Sequence, residues 1–264
     1  MRFVAIFLIW AGSVAAEGAD LAGFMTPGVD IYVLGEVHDK PAHHERQAAM
    51  IARIAPSAIV FEMITAQQAT GITLSLRQDA DALADALGWG ASGWPPFSMY
   101  YPLFAAVGDA PIFGALVTRE VARDAMRLGP DAVFGGNAQR FGLAAPLAPD
   151  QQGARNALQD DAHCNGLPAE MLPAMVNVQR LRDAELASAA LAALDGFGAS
   201  VVVITGNGHA RRDWGVPAMI ARVRPDAVVM SIGQGEYGIA PEGGFDVVFD
   251  APAPERDDPC AAFR

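Results

Sequence analysis

The apolar positions of this chain gather in short unbroken runs instead of alternating with polar ones. Ile31-Tyr32-Val33-Leu34, Ala58-Ile59-Val60-Phe61, Ile112 to Val117, Val201-Val202-Val203-Ile204, Ala227 to Ile232 and Phe245 to Phe249 are each bounded by turn-forming residues. A strand with one face in water alternates, whereas a strand covered on both faces is apolar throughout. These six runs therefore predict strands of a parallel sheet. Between them the apolar spacing predicts helices over 41–54, 66–86, 98–108, 119–128, 168–195 and 215–223. Strands alternating with helices make right-handed βαβ crossovers, so the fold class is α/β, a mostly parallel sheet with flanking helices. Helical sequence at 66–110 and 150–195 exceeds what crossovers need. It predicts an extra helical lobe over the C-terminal edge of the strands.

The N-terminus reads differently. Met1-Arg2 supplies a positive start, Phe3 to Trp10 is wholly apolar, and Ala11-Gly12-Ser13-Val14-Ala15-Ala16 offers the small residues of a cleavage site. That succession predicts a secretory signal peptide over 1–16. The apolar stretch is shorter than the ~20 residues that cross a bilayer, and no cysteine follows it to accept a lipid. Residues 17–264 are then expected to form one domain, periplasmic or secreted, without a transmembrane span.

Composition narrows the partners. At 52% hydrophobic and 18% charged the chain can bury a large core. Its net charge of −12 repels nucleic acid and anionic lipid. Arginine supplies nearly all the positive charge, and Lys40 is the sole lysine. Two cysteines in an exported protein point to one disulfide, Cys164 to Cys260. It would close a loop of about 95 residues, for about 4 kcal/mol on the chain-entropy account.

Ligands of open parallel sheets bind beyond the carboxyl ends of the strands, so the residues that end each run carry the information. The first run ends Gly35-Glu36-Val37-His38-Asp39, the second ends Glu62-Met63, and the fourth ends Thr205-Gly206-Asn207-Gly208-His209. Two of them share the spacing Gly-x-x-His. Glycine lets the chain turn sharply, and the imidazole three residues on can point back over the edge. Imidazole changes charge near neutral pH and is the commonest metal ligand. Glu36, His38, Glu62 and His209 are therefore the catalytic candidates, with His38, Glu62 and His209 a candidate metal set.

Asp39 is placed to cap a helix that has Pro41 in its first turn. His43 and His44 on that helix face different ways, so at most one aims at the site. Arg182, beside Arg180 and Asp183, is a candidate anion clamp. The aromatic segment Trp89 to Phe104, with Tyr100 and Tyr101, is what a flat apolar ligand needs as a lid.

Taken in order, these motifs resemble the ChaN-like family of haem-binding uptake proteins within the Tiki superfamily. The resemblance runs through Gly35-Glu36-Val37-His38-Asp39, Pro41-Ala42-His43-His44, Phe61-Glu62-Met63, His163-Cys164, Gln179 with Arg182 and Asp183, Gly206-Asn207-Gly208-His209 and Gly215-Val216-Pro217. It implies an exported haem-binding protein for haem or iron uptake or storage. Tyr100 or Tyr101 would be the iron ligand, with His43, His44 and Arg182 as further cofactor contacts. The superfamily also holds hydrolases, so the alternative is a metal-dependent peptidase or esterase with a divalent metal on His38, Glu62 and His209. A third reading is a non-catalytic partner-binding module on the same scaffold. Haem binding is the leading expectation over hydrolysis, and a homodimer is compatible with it.

Overall fold

The structure is a computed structural model that describes residues 21, 24–253, 255–256 and 260–261. The expected signal peptide, 1–16, lies outside the described residues. All six apolar runs become strands: β1 (Ile31–Leu34), β2 (Ala58–Phe61), β3 (Ile112–Gly114), β4 (Val201–Ile204), β5 (Val229–Glu236) and β6 (Val247–Ala251). They form one sheet in the order β3-β2-β4-β1-β5-β6, every neighbouring pair parallel. β1, β2 and β4 are buried at every position, as unbroken apolar runs require.

Strand pleating divides the core in two. Tyr32, Leu34, Ile59, Phe61, Val202 and Ile204 face one side, and Ile31, Val33, Ala58, Val60, Val201 and Val203 the other. The first side is covered by α1 (Pro41–Ile54) through Met50 and Ile51, and by the aromatic segment that ends in a helix. After β2 the chain runs through α2 (Ala66–Thr70), α3 (Ala80–Ala86) and α4 (Phe97–Ala106) on that same side. Phe104 of α4 stacks on Phe61 of β2, centroids 4.3 Å apart, worth about 0.5–1.5 kcal/mol beyond its burial.

The second side carries α5 (Arg119–Leu128), α6 (Pro130–Val133), α7 (Pro149–Ala162), the long α8 (Leu172–Phe197), a single turn α9 (Asn207–Ala210) and α10 (Val216–Val223). Among them α5, α8 and α10 supply Ala125, Leu181, Ala187 and Ile220 to the second core. β1 therefore leads into a helix on one face and its neighbour β4 into helices on the other. Their diverging connections open a crevice at the strand ends, the topological switch point of this sheet. No helix among the described residues is long and apolar enough to cross a membrane.

Three local expectations change. The continuous helix over 66–86 is broken after Gly71, because Thr65 builds a capping box with Gln68 and Asp79 caps α3 by accepting from Ala82 N at 3.0 Å. β3 stops at Gly114, where a Cβ would run into the Thr65 and Ile64 carbonyls. Ala115 to Val117 turn instead toward the crevice. Asp39 does not cap α1; Lys40 occupies that position without a side-chain bond. The Asp39 carboxylate pairs instead with Arg256 at 2.6 and 2.7 Å.

Lys40 is almost fully buried. It donates to the Ala251 carbonyl at 3.1 Å and to that of Pro252, and pairs with Glu236 at 3.2 Å. The expected disulfide joins Cys164, just past α7, to Cys260, 96 positions on. The tail is thus fastened at two places. Replacing both cysteines by serine is expected to lower the unfolding free energy by about 2–5 kcal/mol, measured by urea denaturation. An unchanged midpoint would mean that the bridge does not stabilise the fold.

Candidate functional site

The two Gly-x-x-His segments interlock. Where β1 leaves the sheet, a Cβ on Gly35 would run into the Asn207 carboxamide and come within 2.9 Å of the Ile232 carbonyl. Where β4 leaves it, a Cβ on Gly206 would lie 2.8 Å from His38 Nε2. Each glycine thus makes room for the other segment's polar side chain. The backbones are also joined, Asn207 N donating to Glu36 O at 2.9 Å. Asn207 Nδ2 and Oδ1 tie the same turn to Gln234 of β5 at 2.8 and 3.0 Å.

Glu36 sits beneath this junction with its side chain wholly out of water. Its Oε1 accepts from His38 Nδ1 at 2.8 Å and from the Tyr100 hydroxyl at 2.9 Å, and lies 3.4 Å from His44 Nε2. Burial would raise this carboxyl, but hydrogen bonds and positive charge from His38 and His44 outweigh it and hold it at about 2. His38 is the counterpart. Burial would lower it, yet its bond to Glu36 and the nearby carboxylates, Glu62 among them, raise it to about 9. With Nδ1 committed, Nε2 faces the cleft; 34% of the side chain is solvent-accessible and its ring lies 4.9 Å from that of Trp94.

A second carboxylate–imidazole assembly stands opposite. His209 Nδ1 is bonded to Asp183 of α8 at 2.6 Å, and its Nε2 lies 3.7 Å from Glu62 Oε1. Glu62 Oε2 accepts from the Thr205 hydroxyl at 2.6 Å and Gly206 N at 2.9 Å. Burial raises Asp183. It would also raise Glu62 and lower His209, but their mutual charges reverse both shifts. His38, Glu62 and His209 thus converge on one cleft of about 330 Å³, walled by Trp94, Leu116 and Val117 and flanked by Gln179 and Arg182.

The remaining candidates separate. His43 is buried with both nitrogens used, Nδ1 accepting from Val37 N at 3.0 Å and Nε2 bonding to Gly235 O at 3.1 Å. Burial pushes it down to about 4, so it is a neutral clamp on the β1 turn. His44 is buried against Tyr100, ring centroids 4.2 Å apart. The Tyr100 hydroxyl is turned inward onto Glu36; burial and that negative charge hold its proton well above the ordinary phenol range. Tyr101 packs beside Phe97, away from the cleft wall. Asp183 is the functional residue that strand-end reasoning did not single out. It lies one residue from Arg182 in mid-helix, and only the packing of α8 under β4 reveals its partner.

The divalent-metal expectation for His38, Glu62 and His209 finds no support in the structure. Among the described residues no group of three or more His, Cys, Asp or Glu is disposed to hold a metal ion.

A parallel α/β sheet with a ligand cleft at its switch point defines a broad class, and comparison narrows it. The family model described as haem-binding uptake, Tiki superfamily, ChaN matches residues 27–220, and the chain belongs to that family. Among solved structures it is similar to the one described as "Cofacial heme binding to ChaN of Campylobacter jejuni". That likeness has 18% identity and a TM-score of 0.63, over 83% of this chain and 87% of that one. A type III effector, HopBA1, is a more distant likeness at 13% identity and a TM-score of 0.47, over 85% and 88%. No curated protein matches.

Two predictions follow from the charges. The His38 imidazole is expected to titrate with a midpoint of about 9 by NMR, moving back toward about 6.5 in Glu36→Gln. A wild-type midpoint near that ordinary value would dissolve the pairing. Stability should follow the same groups. His38 is raised, so its contribution is complete below about 6.5 and is lost as pH rises through about 9. His43 and Glu36 are lowered, so theirs are complete above about 6.5 and about 4.3 and are lost as pH falls through about 4 and about 2. The urea midpoint is expected to peak near neutrality, with a shallower alkaline limb in His38→Gln. An alkaline limb identical in wild type and variant would contradict this.

Proposed function

We propose that this chain binds haem in the central cleft with His38 Nε2 as the iron ligand, and that it serves haem or iron uptake or storage outside the cytoplasm. One observation carries the ligand: His38 presents Nε2 to the cleft while a buried carboxylate holds Nδ1. That is the arrangement that orients and strengthens a metal-binding imidazole. Trp94, Leu116 and Val117 offer an apolar wall for a macrocycle, and Arg182 a cation for its carboxylates. Tyr100 acts from behind, fixing Glu36, rather than as the ligand. When bound, haem would supply a redox-active iron; the chain's own residues position it and shield one face.

A cleft of about 330 Å³ is at the small end of ligand pockets, which leaves part of a porphyrin outside it. The cofacial haems named for the Campylobacter jejuni relative support a homodimer that covers the open face. The leader expected over 1–16 and the disulfide support export.

The test is a hemin titration followed in the Soret region, with sedimentation of the same samples. Wild type is expected to bind, His38→Ala to lose tenfold or more in affinity, and Tyr101→Phe to match wild type. Affinity should rise with pH toward about 9, because the iron displaces a proton from the ring. No Soret change in wild type would end the haem reading. Unaltered binding by His38→Ala would end the ligand assignment alone.

A second reading rests on the other assembly. Asp183, His209 and Glu62 form an acid–base relay without a metal, suited to ester or amide hydrolysis. Turnover of an ester or peptide panel, abolished in His209→Ala, would favour it. An inert wild type would remove it.

A further inference from the structure

A second cavity lies between α7 and α8, beside the cleft but not part of it, and its volume is about 260 Å³. Its walls are Leu158 and Ala162 of α7, Val176 of α8 and the Trp214 ring; His163, Gln179 and Asp183 also line it, and Arg155 and Gln159 of α7 are its two polar side chains with an unsatisfied buried atom. Both are more than nine-tenths buried, Arg155 7% and Gln159 6% exposed.

Among the described residues, Arg155 Nε and Gln159 Oε1 have no hydrogen-bond partner. The guanidinium lies over the Trp214 ring, 5.0 Å from its centroid. The carboxylates that act on Arg155 are already taken: Asp183 by His209 at 2.6 Å, and Asp213 by Arg211 at 2.6 and 2.7 Å. Two neighbouring guanidinium groups, Arg180 and Arg211, add like charge. Arg180 is itself bonded to the carbonyls of Gly142, Leu143 and Ala145.

A buried guanidinium whose neighbouring carboxylates are engaged with other partners is costly. Burial accordingly lowers Arg155 to about 10. A bound anion would remove that cost, and a planar carboxylate matches the guanidinium fork.

The geometry points to this cavity as a binding site for a small organic carboxylate with a compact apolar body. The acid group would lie on Arg155 and the body against Trp214, Leu158 and Val176. The Gln159 oxygen would accept from a donor on the ligand. The cavity shares Gln179 and Gly208 with the central cleft, and Asp183 forms part of its wall. A ligand here would therefore be next to the residue that orients His209. The inference stands apart from the haem reading, since none of its residues is asked to contact haem.

The experiment is calorimetric titration of the full chain with benzoate, phenylacetate, hexanoate and indole-3-acetate, each beside its neutral amide. At least one acid is expected to bind tenfold or more tightly than its amide. That preference should disappear in Arg155→Gln, checked for folding by circular dichroism, and survive in Arg182→Gln. The wild-type comparison of acid with amide stands even if Arg155→Gln does not fold. The proposal is overturned if no acid binds at millimolar concentration, or if amides bind as well as acids. It is equally overturned if the preference is lost in Arg182→Gln but kept in Arg155→Gln, which would put the anion in the central cleft.

Discussion

The Glu36 carboxylate is a charge taken out of water at the end of β1, and the rest of the site is arranged to satisfy it. A buried carboxylate is tolerable only where donors and positive charge surround it. Here His38 comes from its own turn, His44 from α1 and Tyr100 from α4. Three separately folded pieces are thereby drawn to one oxygen atom. The orientation of His38 follows, since its Nδ1 is held from below and only Nε2 is left to meet a ligand. The aromatic segment follows as well, because Tyr100 moors α4 above the sheet edge and Trp94 lies against the His38 ring.

The glycines complete the constraint. Gly35 and Gly206 come from adjacent strands whose helices diverge to opposite faces, and each is occupied at close range by the other segment. The paired Gly-x-x-His spacing is thus one mutual fit. It also explains why the second assembly, Asp183–His209–Glu62, lies across the same cleft. The turn that admits His38 beside Gly206 carries His209 three residues on, and the Gly206 N–H and the Thr205 hydroxyl hold Glu62.

Much of this was legible in the chain. Apolar runs marked all six strands, most cleanly β1, β2 and β4, where burial on both faces leaves no polar position to blur the pattern. The helices over 41–54 and 119–128 matched to the residue, the first signalled by Pro41 in its opening turn. The stretch 66–86 misled because its helical composition masks Gly71 and the capping residues Thr65 and Asp79. Strand-end reasoning brought His38, Glu62 and His209 together, since each sits at the end of its own run. It did not find Asp183, whose partner is distant in sequence, nor the inward turn of Tyr100, which depends on where a lobe docks.

Lys40 has a practical consequence. The chain's one lysine is enclosed by the backbone of the β6 end and by Glu236, so the folded surface offers no side-chain amine. Amine-directed cross-linkers, dyes and acylating reagents would find no lysine to modify until the C-terminal segment lifts away. Reactivity of that single position is therefore a built-in reporter of tail detachment, readable by mass spectrometry without altering the protein.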